Sequence, residues 1–283
     1  MHIASLLRGF LLTSRYMGIG IAFKEFIRRV FGINYAYRGI LVNSNNIFRL
    51  IRNSLLKGYN VYRLNSEVVV QTPFGEVGVD SADIDLLGVL MEPLEEMYSC
   101  ADVRDGVIID VGAYIGETSL LFISRGAKRV YALEPVKRHY QNLIKNIARN
   151  NLEDKIIPLN YGAWFRDTIS SINYSGTATG LRVNGSRQVT VKLKDSGDIL
   201  KTIFDREGRI DLVKMDCEGC EYSLLKLDKE TIKLSRQYII EIHGSETPIL
   251  DKMTDCGYNV KLIKRVDQWV TVYYFTRNLN LAT

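Results

Sequence analysis

The sequence predicts an α/β fold: a doubly wound, mostly parallel sheet of seven strands with an antiparallel last strand, preceded by an N-terminal helical region. Three observations predict it. From residue 102 onward, short apolar segments alternate with helical patterns, which is typical of a parallel sheet. A glycine-containing turn follows the first buried strand and opens a helix. Two strand patterns close the chain, at residues 259–263 and 269–275, so the last strand returns as a hairpin.

Composition sets the outer limits. A chain of 283 residues, 46% hydrophobic and 24% charged, can bury a sizeable core. Four cysteines (Cys100, Cys217, Cys220 and Cys256) without a secretory signal pattern predict a reducing, cytoplasmic location. The apolar N-terminal stretch is interrupted by Arg8 and Arg15, whereas a membrane-spanning helix needs about 20 mostly apolar residues, so none is expected.

Residues 1–65 are predicted to form a basic, amphipathic helical extension. They contain ten Lys and Arg residues and one acid, Glu25, although the whole chain carries only +5. Apolar residues recur at helical spacing in residues 23–31 and 47–55. The basic face is either a solvated surface or a contact with an anionic membrane. If it is a contact, residues 1–60 bring the protein to the inner membrane surface.

The next segment, residues 66–101, is predicted to be a hairpin and helix lead-in to the main domain at residues 102–283. Strands at 68–71 and 77–79 flank a Thr-Pro-Phe-Gly turn, and a helix is predicted at 84–98.

Residues 106–134 predict the first half of a nucleotide-binding unit. The apolar run at 107–111 suits a strand that is buried on both faces. Gly112 and Gly116 would let the backbone approach a ligand where a Cβ would collide, and the helix that follows offers unpaired N–H groups. A second strand, 129–133, ends at Glu134, which could accept both hydroxyls of a ribose.

Two cofactor classes compete for this loop. A dinucleotide site needs three glycines for its pyrophosphate, and this loop has two, with Tyr114 between them. It also has Asp110 at the end of the strand, and a carboxylate there repels pyrophosphate but suits the cationic S-adenosylmethionine. The sequence therefore favours S-adenosylmethionine over NAD.

The remaining elements continue the alternation. They are helix 137–147, strand 156–159, extra strands 170–174 and 188–193 around a Gly/Thr-rich turn at 176–185, helix 197–204, strands 210–215 and 238–242, and helix 248–255. Ligands of open α/β sheets bind beyond the carboxyl ends of the strands, so the residues at those ends are the candidate site.

Asn160 and Tyr161 follow the third strand of the sheet. An amide there could read the edge of adenine and the aromatic ring could stack on its face; a simple turn is the alternative. After the fourth strand come Asp216 and Glu218, which we assign to the pocket because buried ionisable groups are costly unless paired or used. Lys214 could neutralise a carboxylate, and Glu221 is assigned to capping or packing.

Cys217 and Cys220 form a CxxC pair, which can be redox-active or half of a zinc site. No second pair accompanies it, so packing of small side chains is the favoured interpretation. His243 lies on the same side of its strand as Glu241 and could take a proton from a hydroxyl, or simply be satisfied by the backbone. The acids and His243 could also hold Mg²⁺. His2 and His139 are expected on the surface.

Four motifs together resemble the FkbM-type methyltransferases. They are Asp-Val-Gly-Ala-Tyr-Ile-Gly at 110–116, Glu134 before Pro135, Lys-Met-Asp-Cys-Glu-Gly-Cys-Glu at 214–221, and Glu-Ile-His at 241–243. The resemblance covers residues 68–275 and implies a class I, S-adenosylmethionine-dependent O-methyltransferase with a Rossmann-like sheet. Members act on hydroxyls of sugars, glycans or polyketide-type metabolites.

The candidate site residues follow from the motifs and the resemblance. The expected cofactor contacts are Asp110, Gly112, Ala113, Tyr114, Gly116, Glu134, Pro135, Asn160, Tyr161 and Asp216. The expected catalytic residues are His243, Asp216 and Glu218. No residue is assigned to a required metal.

Other functions stay open. The basic extension suggests an RNA methyltransferase, although Asp-Cys-Glu-Gly replaces the motif usual for amine methylation and two acids disfavour phosphate. A catalytically silent protein that binds a glycan or lipid surface is a second alternative. The expected partner is a small-molecule or glycan acceptor, which could be carried on a lipid.

Overall fold

The computed structural model describes residues 3–174 and 187–277. The predicted turn at 176–185 and His2 lie outside these residues. The chain divides into two compact units, Met1–Glu92 and Pro93–Thr283. The division expected at 65/66 falls inside the first unit because a strand before residue 65 pairs with the strand after it. The extension and the hairpin are therefore parts of one unit.

The first unit contains helices and two small antiparallel sheets. Its elements are α1 (Ile3–Met17), α2 (Ile19–Phe31), β1 (Tyr35–Tyr37), β2 (Ile40–Val42), α3 (Asn45–Leu56), β3 (Asn60–Leu64), β4 (Glu67–Thr72), β5 (Gly75–Asp80) and a 3₁₀ helix (Ser81–Met91). The predicted hairpin is confirmed as β4 and β5, and β3 extends it to three strands. The helical extension predicted for residues 1–65 contains three helices, but β1 and β2 interrupt it and β3 ends it.

The helix predicted at residues 84–98 is also wrong. The chain forms the 3₁₀ helix to Met91 and then the short α4 (Leu94–Met97), with Pro93 between them. Glu92 is extended, at φ −68° and ψ 153°, because the ring of a following proline excludes the helical conformation.

The second unit is built on a seven-stranded sheet. Its other elements are β6 (Val107–Val111), α5 (Glu117–Ser124), β7 (Arg129–Leu133), α6 (Lys137–Arg149), β8 (Ile156–Leu159), β9 (Gly162–Trp164), β10 (Thr168–Tyr174), β11 (Arg187–Asp195), α7 (Ser196–Glu207), β12 (Leu212–Met215), a 3₁₀ helix (Cys220–Lys226), α8 (Lys229–Ile232), β13 (Gln237–His243), α9 (Thr247–Asp255), β14 (Asn259–Arg265) and β15 (Val270–Thr276). The strand order is β14-β15-β13-β12-β6-β7-β8.

This sheet confirms the predicted fold class. Strands β8, β7, β6, β12 and β13 are parallel, and β15 lies antiparallel between β13 and β14. The chain runs outward from β6 to β8 and later resumes at β12 on the other side of β6. The direction of the strand order therefore reverses between β6 and β12, which is where sheets of this kind bind ligands.

The extra strands also form, as a separate sheet with the order β10-β11-β9. The sequence predicted β10 and β11 but not β9, whose three residues pair in parallel with the end of β11. None of the helices in residues 3–174 and 187–277 combines the length and hydropathy that crossing a bilayer requires.

Candidate functional site

The carboxyl ends of β6, β7, β12 and β13 meet at one edge of the sheet. Parallel pairing aligns Val111 with Leu133 on one side and with Met215 on the other, so the segments that follow these strands are neighbours. Most residues assigned to the site from the sequence lie on these segments; Asp110 and His243 lie within β6 and β13, and Asn160 and Tyr161 follow β8.

The glycine loop after β6 is packed against the segment after β12. A Cβ on Gly112, which has φ +80°, would lie 1.9 Å from the carbonyl oxygen of Asp216. A Cβ on Gly116 would lie 2.8 Å from the side chain of Leu143. The sequence attributed both glycines to close approach of a ligand. The structure shows that the backbone of Asp216 already requires Gly112, and that a φ of +97° favours glycine at position 116.

Asp110 lies behind this loop. Its side chain is completely buried, and its Oδ2 accepts hydrogen bonds from Thr118 and Ser119 at 2.6 and 2.7 Å. Its Oδ1 lies 3.1 Å from Nζ of Lys214, which also donates to the carbonyl of Gly112 at 2.8 Å. The prediction that the Asp110 carboxylate contacts a cationic cofactor is therefore replaced by a different role. The carboxylate binds Thr118, Ser119 and Lys214 beneath the glycine loop and supports it.

Lys214 is the neutralising partner that the sequence suggested. It is 1% exposed in a strand that is buried on both faces. Burial alone would lower its pKa, but the carboxylates of Asp110, Asp216 and Glu117 raise the pKa above the usual value. The ammonium is charged and fixed beneath the loop.

Glu134 connects the tip of β7 to the same loop. Its carboxylate accepts from the backbone N–H of Tyr114 at 3.0 Å and of Val136 at 2.8 Å. His139 lies 3.5 Å from it and packs edge-on against the ring of Tyr114 at 4.4 Å between centroids. The expectation that His139 is a surface residue is wrong, since it is fully buried. Tyr114 itself has φ +48°, an uncommon conformation for a side chain of this size.

Asn160 and Tyr161 follow β8 beside Glu134. The amide of Asn160 donates to the carbonyl of Glu134 at 2.9 Å, so it joins two strand ends. Tyr161 is half-buried, and Nζ of Lys194 lies 4.9 Å from the centre of its ring. Their contacts with adenine stay a prediction.

The acidic segment after β12 is closed by a disulfide. Cys217 and Cys220 are bonded, with their Cα atoms 5.4 Å apart. Glu218 at φ +56° and Gly219 at φ +116° make the turn that brings them together. Both side chains contact the core, as the favoured packing interpretation requires, and the two sulfurs are in addition bonded to each other, which that interpretation did not include. The CxxC spacing was the only sequence signal for it.

Glu221 and His243 form the buried part of an acidic cluster at the ends of β12 and β13. The carboxylate of Glu221 accepts from the backbone N–H of His243 at 2.9 Å and of Gly219 at 2.8 Å, which confirms a packing role. The imidazole of His243 lies 3.3 Å from Glu221, 3.4 Å from Glu241 and 3.5 Å from Glu218. Glu218 and Glu241 are partly exposed.

This arrangement determines the charge of His243. Burial alone would lower its pKa, but Glu221, Glu241 and Glu218 together raise the pKa to about 11. His243 is therefore an imidazolium at neutral pH while the site holds no other positive charge.

Three of these residues could also hold a cation. Ligand atoms of Asp216, Glu241 and His243 all lie within 4.8 Å of one another. Carboxylate oxygen and imidazole nitrogen suit several divalent metals.

Comparison with known proteins identifies the family. The model of the methyltransferase FkbM domain matches residues 110–260, more than half of the chain. This protein belongs to the FkbM methyltransferase family. The matched residues of this FkbM-family protein include the glycine loop, Glu134, the acidic segment and His243.

Individual relatives are similar to this chain only at low sequence identity. The hexuronic acid methyltransferase AglP of Haloferax volcanii is 28% identical over 171 residues, which are 58% of this chain and 64% of that protein, so the chain spans less than two thirds of its length. Among solved structures, TYW2 of M. jannaschii with AdoMet has a TM-score of 0.42 and 18% identity, covering 77% of this chain and 89% of that one. TrmK of M. capricolum with S-adenosyl-homocysteine has a TM-score of 0.41 and 15% identity, covering 65% and 67%.

Proposed function

We propose that this protein is an S-adenosylmethionine-dependent O-methyltransferase that acts on a hydroxyl of a sugar, a glycan or a related metabolite. The observation that carries the proposal is that a glycine loop and a partly exposed acidic cluster meet at the reversal point of the sheet in a member of the FkbM family. The curated relative is named for methylation of a hexuronic acid, which supports a sugar acceptor.

The residues present fit the cofactor. Partly exposed carboxylates of Asp216, Glu218 and Glu241 suit a cation, and Glu134 retains acceptor capacity for hydroxyls after its two backbone bonds. We assign cofactor binding to Gly112, Ala113, Tyr114, Gly116, Glu134, Pro135, Asn160, Tyr161 and Asp216, with Asp110 acting through the loop. When bound, S-adenosylmethionine supplies a methyl group on a positively charged sulfur.

The acidic cluster performs the proton chemistry in this proposal. Asp216 and Glu218 orient the acceptor hydroxyl, which is a poor nucleophile until it loses its proton. His243 takes that proton, and it can do so only after added positive charge in the cluster lowers its pKa from about 11. The hypothesis that His243 is the general base thus acquires a condition that the sequence did not reveal.

The acceptor is proposed to be a small molecule or a glycan, free or carried on a lipid, rather than nucleic acid. Acids at the mouth of the pocket disfavour phosphate. A location at the cytoplasmic face of the membrane and a role for Mg²⁺ at Asp216, Glu241 and His243 stay predictions. Loss of turnover after chelation, with recovery on adding Mg²⁺, would establish the metal.

Calorimetry with S-adenosylmethionine is the first test. We expect binding, and a Gly112→Ala variant that no longer binds. Protein that is folded but does not bind the compound would favour the silent glycan- or lipid-binding alternative.

Transfer of a labelled methyl group to a panel of hexuronic acids, hexoses and lipid-linked saccharides is the second test. We expect an O-methyl product, identified by the chemical shift of its methyl carbon. Labelling of RNA with no saccharide labelled would contradict the proposal.

A further inference from the structure

Helix α2 of the first unit turns its large apolar side chains toward solvent. Its apolar residues at i, i+4, i+7 and i+11 form one stripe, the α2 stripe, and all four are exposed: Ile19, Phe23, Phe26 and Val30. Ile19 is 72% and Phe23 is 58% exposed. A helix of a globular protein normally turns such a stripe toward the core.

The buried residues of α2 are Ala22 and the acid Glu25. Glu25 is 4% exposed, and its carboxylate accepts from Arg28 at 2.8 and 2.9 Å and from Arg29 at 2.7 Å. Arg28 also donates to Asn45 at 2.6 Å.

The pairs of Glu25 with Arg28 and Arg29 lie within α2 and would turn with it. The rotation of the helix is fixed by its contacts with other elements, because Arg28 donates to Asn45 of α3 and Tyr35 of β1 donates to Glu25 at 3.3 Å. Turning the stripe inward would break both of these bonds.

Helix α1, which packs against α2, contributes further exposed apolar side chains. Leu11 is 66% exposed, while Leu12 and Tyr16 are about half exposed. Thr13 is buried instead, donating to the carbonyl of Gly9 at 2.7 Å. Exposed large apolar side chains on two helices that pack together are typical of a surface that contacts a membrane or a partner.

The charge of this surface favours a lipid over a second copy of the chain as its partner. Arg15 and Lys24 are exposed next to apolar residues in the sequence, and Glu25, the one acid among residues 1–65, is buried and paired with Arg28 and Arg29. A second copy of the chain would bring two strongly basic surfaces together. Anionic phospholipid offers both an apolar phase for the stripe and negative headgroups for the bases.

We propose that α1 and α2 dock on an anionic lipid surface, lying in its interface with the α2 stripe inserted. The inference does not depend on the proposed function. Of the two interpretations of the basic extension, it favours membrane contact over a solvated surface, because a solvated helical cap would turn its apolar residues inward.

Flotation of the full chain with lipid vesicles tests the proposal. We expect binding to vesicles with about one-third phosphatidylglycerol, weak binding to pure phosphatidylcholine, and weakening with salt. The full chain is needed, because a truncation at residue 60 would cut the first unit at the start of β3. No binding to anionic vesicles would overturn the proposal.

Matched variants identify the surface. The triple variant Ile19→Gln, Phe23→Gln, Val30→Gln should reduce partitioning by roughly tenfold or more, because inserted apolar area is lost. The control variant Ile169→Gln, Leu262→Gln, Trp269→Gln removes equally exposed apolar residues of the second unit and should bind as the natural chain does. Equal binding by the two variants would overturn the proposal.

A charge variant keeps the test independent of the apolar substitutions. The double variant Arg15→Glu, Lys24→Glu should weaken binding to anionic vesicles by roughly fivefold or more for each basic residue removed. Its binding to neutral vesicles should be unchanged. Sedimentation distinguishes self-association. An oligomer that the triple variant dissociates, without vesicle binding, would assign the surface to a second copy and overturn the proposal.

Discussion

The ammonium of Lys214 lies 3.1 Å from the carboxylate of Asp110, with both side chains at 1% exposure or less. Lys214 stands on β12 and Asp110 on β6, so the pair joins the two strands between which the order of the sheet reverses. The same ammonium donates to the carbonyl of Gly112. One ion pair therefore supports both the fold and the glycine loop.

Lys214→Met should destabilise the protein by about 3–5 kcal/mol, because it leaves the Asp110 carboxylate buried without its partner. Urea denaturation measures the change. The double variant Lys214→Met with Asp110→Asn should recover part of the loss, and Lys192→Met, on an exposed lysine, serves as the control. A loss equal to that of the control would show that the pair contributes nothing.

Gly112→Ala should cost more than Gly208→Ala, although both glycines have similar positive φ angles of +80° and +73°. A methyl group on Gly208 would meet no atom within 4 Å, so that variant reports only backbone strain, about 1–2 kcal/mol. Gly112→Ala adds the collision with Asp216, worth about 1–3 kcal/mol more. Thermal unfolding of the two variants tests the difference, and similar midpoints would contradict the close approach.

His243 should remain charged far above neutral pH in the cofactor-free protein. Its pKa is raised from 6.5 to about 11, so folding is favoured by the proton it holds. The resulting stabilisation is complete below about pH 6.5 and is lost as the pH rises toward 11. The chain has three histidines, and a His243→Gln variant assigns the resonance for an NMR titration.

The same titration tests the condition on base catalysis. S-adenosylmethionine, which carries a charged sulfur, should lower the pKa of His243 more than S-adenosylhomocysteine, which does not. An equal effect of the two compounds would show that the charged sulfur is not what lowers the pKa of His243.

Alkylation of the unfolded, unreduced protein should modify two cysteines, Cys100 and Cys256, because Cys217 and Cys220 are paired. Prior reduction should raise the number to four. Mass spectrometry counts the added groups. Four modified cysteines without reduction would show that the pair is not formed in the protein as isolated.

Prediction from the sequence succeeded where the local pattern alone decides the structure. Strands β6, β7 and β8 have the predicted bounds, because continuous apolar runs between polar turns identify buried strands. It failed for β1 and β9, which have three residues each and form only because a distant or adjacent strand offers hydrogen bonds. Such short segments carry no period of their own.

The site was predicted in outline but not in its internal contacts. Gly112, Glu134, Asp216 and His243 lie at the strand ends where the sequence placed them, and their roles stay predictions. Asp110 pairs with Lys214, and His139 packs against Tyr114; both partners come from other segments of the chain, so no local pattern could reveal the burial. The pKa of His243 likewise depends on carboxylates from two strands.

The bond from Lys214 to the carbonyl of Gly112 spans 102 residues of sequence. During synthesis, the glycine loop can be supported only after the ribosome has made β12, because β12 carries Lys214. A fragment that ends before β12 would contain the loop but not the Lys214 ammonium that supports it. The supported glycine loop therefore forms only after β12 is available, and the half of the sheet that contains β6 cannot form it alone.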